Sequence, residues 1–215
     1  MAYNQLLDFI DNLDTTTYRH IVMFYEEPEY AKLVQMRFIN DGLERGECCI
    51  YLVHDEQDLL FTSREMIAYG IDIDSYGNKG LLQFYINRGI KDLESFKCSI
   101  SMIYEETAKK FINHQPSRQA LPPIRGIGLS IPHAFPEGDG GLQRMAATVE
   151  LQIERFFNEE MIRSFTGVWM CPYQLDDIDA QMDKKWMEDV LNSHDAVLFM
   201  PKLSNGVALD LRKTL

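Results

Sequence analysis

Short apolar runs alternate with longer stretches of helical periodicity along most of the chain. His20–Tyr25 and residues 48–54 are apolar almost throughout, which is typical of parallel strands buried on both faces of a sheet. Between them, residues 28–45 begin with Pro28 and stop before Gly46, and proline and glycine at these positions mark the start and the end of a helix. This strand–helix–strand order predicts the first βαβ unit of an α/β sheet.

The same alternation continues to the end of the chain. The predicted elements are helices at residues 58–69, 92–111, 142–163 and 176–192, and strands at residues 81–86, 124–131 and 167–173. Residues 196–201 and 207–211 flank Asn205-Gly206, a dipeptide typical of tight β-hairpin turns. The predicted fold class is therefore α/β: a mainly parallel sheet flanked by helices on both faces, with a C-terminal β-hairpin.

The N-terminus carries a separate helical pattern. Apolar side chains recur there at helical spacing, at Leu6, Leu7, Ile10 and Leu13. They predict an amphipathic helix within residues 1–15, which precedes an α/β core over residues 16–215. A length of 215 residues suits one α/β domain, and no repeat or low-complexity tract divides it. We therefore expect a single domain over residues 1–215.

Charge and cysteine usage limit the partners and the location. A net charge of −12 disfavours direct nucleic-acid binding, which needs clustered Lys and Arg. No apolar run approaches the ~20 residues that cross a bilayer, so we expect no membrane segment. The four cysteines show no CxxC spacing, and this usage is typical of a reducing cytoplasm.

The loop after the first predicted strand is unsuited to a nucleotide. A phosphate cradle needs glycines, whose backbone N–H groups converge on the phosphate oxygens, and a lysine followed by Ser or Thr. Residues 25–32 contain no glycine and three glutamates, and Lys32 is followed by Leu33. Carboxylates beside a triphosphate would repel it. We therefore expect that ATP binding has been lost.

Catalytic chemistry has equally little support. The predicted fourth strand ends in Ser130-Ile131-Pro132, where an ATPase needs an acidic ligand for Mg²⁺. No Gly-x-Ser-x-Gly motif occurs, and the sequence places no evident base beside Cys171. The sequence thus predicts no catalytic residue, no enzyme activity and no cofactor.

A binding site for a small molecule is predicted at the carboxyl ends of the strands, where open α/β sheets bind their ligands. The residues there combine aromatic, carboxylate and imidazole groups, which suit a small polar or cationic molecule. Ordinary solvated loops have the same composition and are the alternative interpretation. The predicted ligand-binding residues are Tyr25, Glu27, His54, Asp55, His133, Cys171 and Tyr173. The Pro- and Gly-rich loop at residues 132–141 is expected to become ordered on binding.

A metal site is not predicted, because the histidines and cysteines show neither HxxxH nor CxxC spacing. His20 and His194 each precede a strand, whereas His54, His133 and Tyr173 end strands. We therefore expect the two groups at opposite edges of the sheet, where one site cannot easily use both. The favoured role of His20 and His194 is a hydrogen bond that fixes the start of a strand.

Several short motifs, spread over residues 20–200, resemble known proteins. Residues 38–47 with Ile50-Tyr51-Leu52 resemble the first helix and second strand of KaiC/RecA-type ATPases. The whole ordered set more closely resembles the MEDS sensory domain, a degenerate KaiC/RecA-like family named for methanogens, methylotrophs and the dichloromethane-responsive regulator. The matching residues are His20, Phe24-Tyr25, Gly42-Leu43, Gly46-Glu47, Gly70-Ile71-Asp72, Glu154, Cys171, Tyr173 and His194.

The resemblance implies a KaiC-like cytoplasmic domain that senses a small organic molecule and passes the signal to a separate output or regulatory protein, as in transcription regulation. His20, Glu154 and His194 are motif residues to which it assigns no role. The alternative is a pseudo-ATPase scaffold that pairs with a KaiC-like ATPase or regulator. An exposed flat apolar surface would favour the scaffold, and an enclosed pocket with polar groups would favour the sensor. The N-terminal helix is a candidate element for a homodimer.

Overall fold

The computed structural model describes residues 2–87, 92–118, 120–128, 140–161, 166–176, 184–200 and 206–213. The helices in these ranges are α1 (Ala2–Asp11), α2 (Pro28–Glu44), α3 (Glu56–Tyr69), α4 (Ile73–Asn78), α5 (Leu93–His114), α6 (Gly140–Glu159) and α7 (Lys184–Asn192). The strands are β1 (His20–Tyr25), β2 (Cys48–Val53), β3 (Leu82–Ile86), β4 (Ile124–Ile127), β5 (Gly167–Gln174), β6 (Ala196–Met200) and β7 (Val207–Asp210), and a 3₁₀ turn (Leu211–Lys213) follows β7.

The seven described strands form one sheet in the order β3-β2-β4-β5-β1-β6-β7. All neighbouring strands run parallel except β6 and β7, which are antiparallel. The predicted fold class, a mainly parallel sheet with a C-terminal β-hairpin, is confirmed. On β1, Val22 lies opposite Cys171 of β5, and Phe24 lies opposite Tyr173. These side chains therefore share one face of the sheet.

Helices cover both faces of the sheet. Ile21 and Met23 of β1 belong to the large core cluster that includes residues of α1 and α2. Val22 and Phe24 point to the other face and pack against Trp186 of α7. Because successive side chains of a strand point to opposite faces, β1 is buried on both sides, as its apolar run predicts.

The element boundaries differ from the predicted ones in few places. α4 was not predicted, because six residues carry too little periodicity; it begins after Asp72, whose carboxylate accepts a hydrogen bond of 2.9 Å from the backbone N–H of Ser75. β4 ends at Ile127, and residues 129–131 of the predicted strand lie outside the described residues. α6 begins at Gly140, so all but the last two residues of the predicted 132–141 loop lie outside the described residues.

The predicted N-terminal amphipathic helix is present, and it packs on its own chain. Leu6, Ile10 and Leu13 are at most 1% exposed, and α1 contacts α2 and β7. These three side chains therefore offer no free surface to a second copy, and the predicted homodimer would need another surface. None of the helices in the described part of the chain has the length and apolar character needed to cross a bilayer.

A buried arginine accounts for the Gly-Leu-x-x-Gly-Glu turn between α2 and β2. Arg125 of β4 is fully buried; its Nη2 lies 2.7 Å from Asp41 Oδ2 and its Nε contacts the Glu47 carboxylate. Its Nη1 donates a hydrogen bond of 3.0 Å to the carbonyl oxygen of Phe38. A Cβ on Gly42 would lie 2.5 Å from Arg125 Cδ, so only glycine leaves room for this side chain. We call Arg125, Asp41 and Glu47 the arginine cluster.

Candidate functional site

Side chains from separate parts of the sequence meet on one face of the sheet. His20 begins β1, Glu154 lies on α6, Cys171 lies on β5, and His194 lies just before β6. Three of the four are buried, and Cys171 is half-buried. We call these four residues the His–Glu–Cys cluster. Tyr173, also buried on β5, lies beside it.

One carboxylate oxygen lies at the centre of this cluster. Glu154 Oε2 is 3.1 Å from His20 Nε2 and 3.4 Å from His194 Nε2. Glu154 Oε1 accepts a hydrogen bond of 2.6 Å from the hydroxyl of Tyr173. His20 Nε2 also lies 3.3 Å from Cys171 Sγ. One nitrogen, oxygen or sulfur atom from each cluster residue therefore lies within 4.8 Å of the others.

The second nitrogen of each imidazole is held by the main chain. His20 Nδ1 lies 2.9 Å from the carbonyl oxygen of Ser193, and His194 Nδ1 lies 2.7 Å from that of Val190. The two rings stack with their centroids 3.8 Å apart. Because a carbonyl oxygen can only accept, each Nδ1 carries a proton, and each ring therefore presents its Nε2 to Glu154.

Burial shifts the pKa values in the cluster. Burial lowers the pKa of His194 to about 3, with help from the neighbouring His20 and against the pull of Glu154. Burial alone would raise the pKa of Glu154, but positive charge on His194 and His20 and the hydrogen bonds from His20 and Tyr173 lower it to about 2. At neutral pH His194 is uncharged, so the first of these stabilising charges is missing. The Glu154 carboxylate therefore has no permanent cation beside it in the cluster.

The thiol of Cys171 is held in its protonated form. Burial raises the pKa of Cys171 well above its usual value, and the charges of Glu154 and Glu150 raise it further. His20 Nε2 lies within reach of this thiol as a base, which the sequence did not reveal. A nucleophilic thiolate is nevertheless disfavoured beside two carboxylates.

The buried stripe of α6 places Glu154 in the cluster. Buried positions on this helix follow helical spacing, at Glu150, Ile153, Glu154 and Phe157. Two glutamates within a stripe that otherwise faces the core are unusual, because buried carboxylates are costly without partners. These two glutamates on a buried helix face are the sequence feature that indicates the cluster.

His20 and His194 are separated from Tyr173 along the strands, as expected, but one side chain connects them. Both histidines lie at strand starts, as predicted, and their Nδ1 atoms make main-chain hydrogen bonds there. Glu154, however, contacts both imidazoles through one oxygen and Tyr173 through the other. A helix side chain that lies across the sheet connects residues which strand order alone places apart.

Two adjoining cavities lie between the sheet and helices α5 and α6, near the carboxyl ends of β2, β3 and β4. The smaller has a volume of about 40 Å³, and Glu150, Glu154 and Cys171 are the ionisable residues in its wall. The larger, of about 220 Å³, lies between β3 and α5. The residues that line both are Leu52, Asn87, Phe96 and Ile100. The polar cluster therefore borders the inner end of a mostly apolar space.

Only part of the predicted ligand site lies at these cavities. Cys171 lines the smaller cavity, and Tyr173 is linked to its wall through Glu154. Asp55 instead begins α3, where its carboxylate accepts two backbone N–H bonds of 2.8 Å. His133 lies outside the described residues. The other predicted residues line neither cavity and their role stays a prediction: Tyr25, Glu27, His54 and Asp55.

Lys32, the lysine nearest the first loop, is engaged inside the protein. Its Nζ donates hydrogen bonds to the hydroxyl of Tyr51 at 2.9 Å and to that of Thr62 at 3.4 Å. The carboxylate of Glu65 lies 3.9 Å away. Burial lowers the pKa of Lys32, against the opposing charges of Asp58 and Glu65.

Comparison with known proteins identifies the class of this fold and then its family. A KaiC-like protein from the hyperthermophilic archaeon Pyrococcus horikoshii OT3 is 14% identical, with a TM-score of 0.56 over 84% of this chain and 70% of that one. An uncharacterised protein from Pyrococcus horikoshii, solved in complex with an unknown peptide, is 10% identical, with a TM-score of 0.58 over 93% of this chain and 84% of that one. These similarities establish the KaiC-like fold.

Residues 19–195 match the model of the MEDS family, the methanogen/methylotroph, DcmR sensory domain. The chain therefore belongs to the MEDS family. Among curated proteins, none matched it significantly.

Proposed function

We propose that this chain is a sensory domain that binds a small organic molecule and has lost ATP binding. The observation that carries this proposal is the pair of adjoining cavities at the strand carboxyl ends, with Glu154 and Cys171 at the inner end. Open α/β sheets bind ligands at this edge. Membership of a family of sensory domains supports the same role.

The lining of the cavities indicates the chemistry of the ligand. Leu52, Phe96 and Ile100 make both walls largely apolar, and Asn87 is a polar group in both. The carboxylates are those of Glu150 and Glu154 in the smaller cavity and of Glu106 in the larger. The larger cavity, at about 220 Å³, is below the roughly 300–1,000 Å³ of sites for drug-sized molecules. The ligand we propose is therefore small and mostly apolar, with a polar or positively charged end that faces the carboxylates.

Two features support the loss of ATP binding. The first loop has three glutamates and no glycine, so it lacks the backbone geometry that holds phosphates. The Lys32 ammonium is already bonded to Tyr51 and Thr62. A triphosphate would have to displace these bonds and overcome repulsion by the loop. We propose that the protein has no ATPase activity and that its signal passes to a separate regulatory protein, in a cytoplasm that keeps the thiols reduced.

The second candidate function is a pseudo-ATPase scaffold that binds another protein. Exposed apolar side chains on α3 favour it: Leu60, Phe61 and Ile67 are each more than half exposed. One structural neighbour was solved with an unknown peptide, and a peptide-binding role would suit the same fold. The two adjoining cavities bordered by polar groups favour the sensor over the scaffold.

A cavity-filling substitution tests the proposed ligand site. Ser99 on α5 lines the larger cavity, whereas Ser101, two residues further along the helix, is exposed. Ser99→Trp should occupy the cavity and weaken binding of dichloromethane and of short primary alcohols at least ~10-fold, since it removes the space available to them. Saturation-transfer NMR measures this binding directly.

Ser101→Trp is the matched control, because it adds the same ring to the same helix outside the cavity. It should bind these molecules as the unmodified protein does, and circular dichroism verifies that both variants fold. Equal binding by both tryptophan variants and the unmodified protein would place the ligand elsewhere and overturn the proposed site.

A further inference from the structure

The His–Glu–Cys cluster has more buried hydrogen-bond acceptors than donors. The Nδ1 atoms of His20 and His194 each face a main-chain carbonyl, and a neutral imidazole with such a partner carries its one N–H on Nδ1 and its lone pair on Nε2. The thiol of Cys171 can donate its hydrogen to His20 Nε2. Glu154 Oε2 and His194 Nε2 then remain as two buried acceptors 3.4 Å apart, and neither has a hydrogen-bond donor. Such an arrangement is costly unless a cation lies between the acceptors.

The distances in the cluster fit a metal ion. Zn²⁺ binds nitrogen and oxygen at about 2.0–2.1 Å and sulfur at about 2.3 Å, which puts tetrahedral ligand atoms roughly 3.3–3.5 Å apart. Glu154 Oε2 lies 3.1 Å from His20 Nε2 and 3.4 Å from His194 Nε2. His20 Nε2 lies 3.3 Å from Cys171 Sγ. These separations are close to the edges of one coordination tetrahedron.

The surroundings of the ligand atoms also have the form of a metal site. Metal-bound histidines usually donate their second N–H to a carbonyl or a carboxylate, as His20 and His194 do here. Ligating carboxylates are themselves hydrogen-bonded, and Tyr173 donates to the other oxygen of Glu154. The neighbouring groups thus orient all three ligands toward a common point.

We propose that His20, Glu154, Cys171 and His194 bind a single Zn²⁺ ion or a transition-metal ion of similar preference. Imidazole and thiolate ligands select such ions, whereas Mg²⁺ and Ca²⁺ require mostly oxygen ligands. On binding, the Cys171 S–H bond breaks, the sulfur bonds to the metal, and the proton passes to solvent. One carboxylate and one thiolate then balance the two positive charges of the ion, so the buried site is neutral.

The metal site is independent of the proposed organic ligand. Its four residues contact each other without any added molecule, and only Glu154 and Cys171 also line the smaller cavity. Ser99→Trp, which fills the larger cavity, is therefore expected to leave metal binding unchanged. Failure of one proposal does not entail failure of the other.

Titration of the full-length, chelator-treated protein with Zn²⁺, in competition with a chromophoric chelator, tests the site. We expect one Zn²⁺ per chain. Cys171→Ser and His194→Gln should each weaken binding on the order of 100-fold or more, because each removes one ligand. Tyr173→Phe, which removes a positioning residue, should weaken binding by about 10–100-fold and keep the same stoichiometry.

Two matched controls separate this site from adventitious surface binding. Cys98 is an exposed cysteine. His114 is an exposed histidine whose Nδ1 lies 2.7 Å from the carbonyl oxygen of Lys110, so it makes the same kind of main-chain contact as the two cluster histidines. Cys98→Ser and His114→Gln should bind Zn²⁺ as the unmodified protein does. Absence of stoichiometric Zn²⁺ binding, or equal losses in the control variants, would overturn the proposal.

Cobalt substitution keeps the test decisive if a variant fails to fold. Co²⁺ in the unmodified protein should show tetrahedral visible bands together with a sulfur-to-cobalt charge-transfer band from Cys171. Cys98→Ser should retain that band. A cobalt complex without sulfur charge transfer would contradict the proposed ligand set.

Discussion

The sheet carries two buried polar clusters that differ in how their charges are matched. In the arginine cluster, the permanent cation of Arg125 lies between Asp41 and Glu47, and a second permanent cation, Arg45, has its Nε 3.2 Å from Asp41 Oδ2. In the His–Glu–Cys cluster, the Glu154 carboxylate faces two imidazoles, and His194 is neutral at neutral pH because burial lowers its pKa to about 3. Two permanent cations thus match two carboxylates in the first cluster, and the second cluster contains no permanent cation.

This difference indicates a structural role for the arginine cluster and a binding role for the His–Glu–Cys cluster. A cluster with matched charges needs no further component, so its residues serve the packing of α2 against β2 and β4. A buried cluster of acceptors without a permanent cation gains stability when a cation binds to it. The His–Glu–Cys cluster also borders a cavity, whereas the arginine cluster lines neither of the two described cavities.

The largest effect is expected from loss of the buried arginine. Arg125→Met should lower the free energy of unfolding by about 3–5 kcal/mol, because it leaves Asp41 and Glu47 without their cation. Urea denaturation measures this loss. Arg155→Met is the matched control: Arg155 pairs with Asp189 at 3.1 Å but is exposed, so its loss should cost at most about 1 kcal/mol. Equal losses in the two variants would show that the arginine cluster is not a structural centre.

A smaller effect is expected from crowding the same cluster. Gly42→Ala would place a Cβ 2.5 Å from Arg125 Cδ and 2.9 Å from Cys49 Sγ, and should cost about 1–3 kcal/mol of stability. Gly77→Ala on α4 meets no atom within 4 Å and should be neutral or stabilising by up to about 1 kcal/mol. Thermal unfolding compares the two alanine variants. Equal thermal stability of the two variants would contradict this expectation, because the Arg125 side chain would then have room to move away from the new Cβ.

The smallest effect is expected at the centre of the other cluster. In metal-free protein, Glu154→Gln should change the free energy of unfolding by no more than about 1 kcal/mol. The amide oxygen can still accept from Tyr173, and the amide N–H₂ can donate to an imidazole Nε2. Urea denaturation in the presence of a chelator measures this change. A loss as large as that of Arg125→Met would contradict the comparison, because the cluster would then be a self-sufficient ion pair.

The fold could be predicted from the sequence because its strands are buried on both faces. An apolar run such as His20–Tyr25 predicts a buried strand, and Pro28 and Gly46 mark the start and the end of the helix that follows it. Short elements were harder to predict, and α4 has too few residues to show a period.

The candidate site could be predicted only in part. The sequence assigns Cys171 and Tyr173 to a ligand site, predicts that His20 and His194 only fix strand starts, and gives Glu154 no role. Their meeting depends on how α6 lies across the sheet, and helical periodicity shows which face is buried but not which strand residues it covers. The expectation that strand starts and strand ends cannot share a site failed for this reason.

The central claim is that this KaiC-like chain binds a small molecule instead of ATP. The most direct test compares the native mass of the purified protein, with and without added Mg-ATP, with its denatured mass. We predict extra mass, beyond that of one metal ion, that is lost on denaturation, and no stoichiometric nucleotide complex. A bare protein that binds one Mg-ATP per chain would contradict the account.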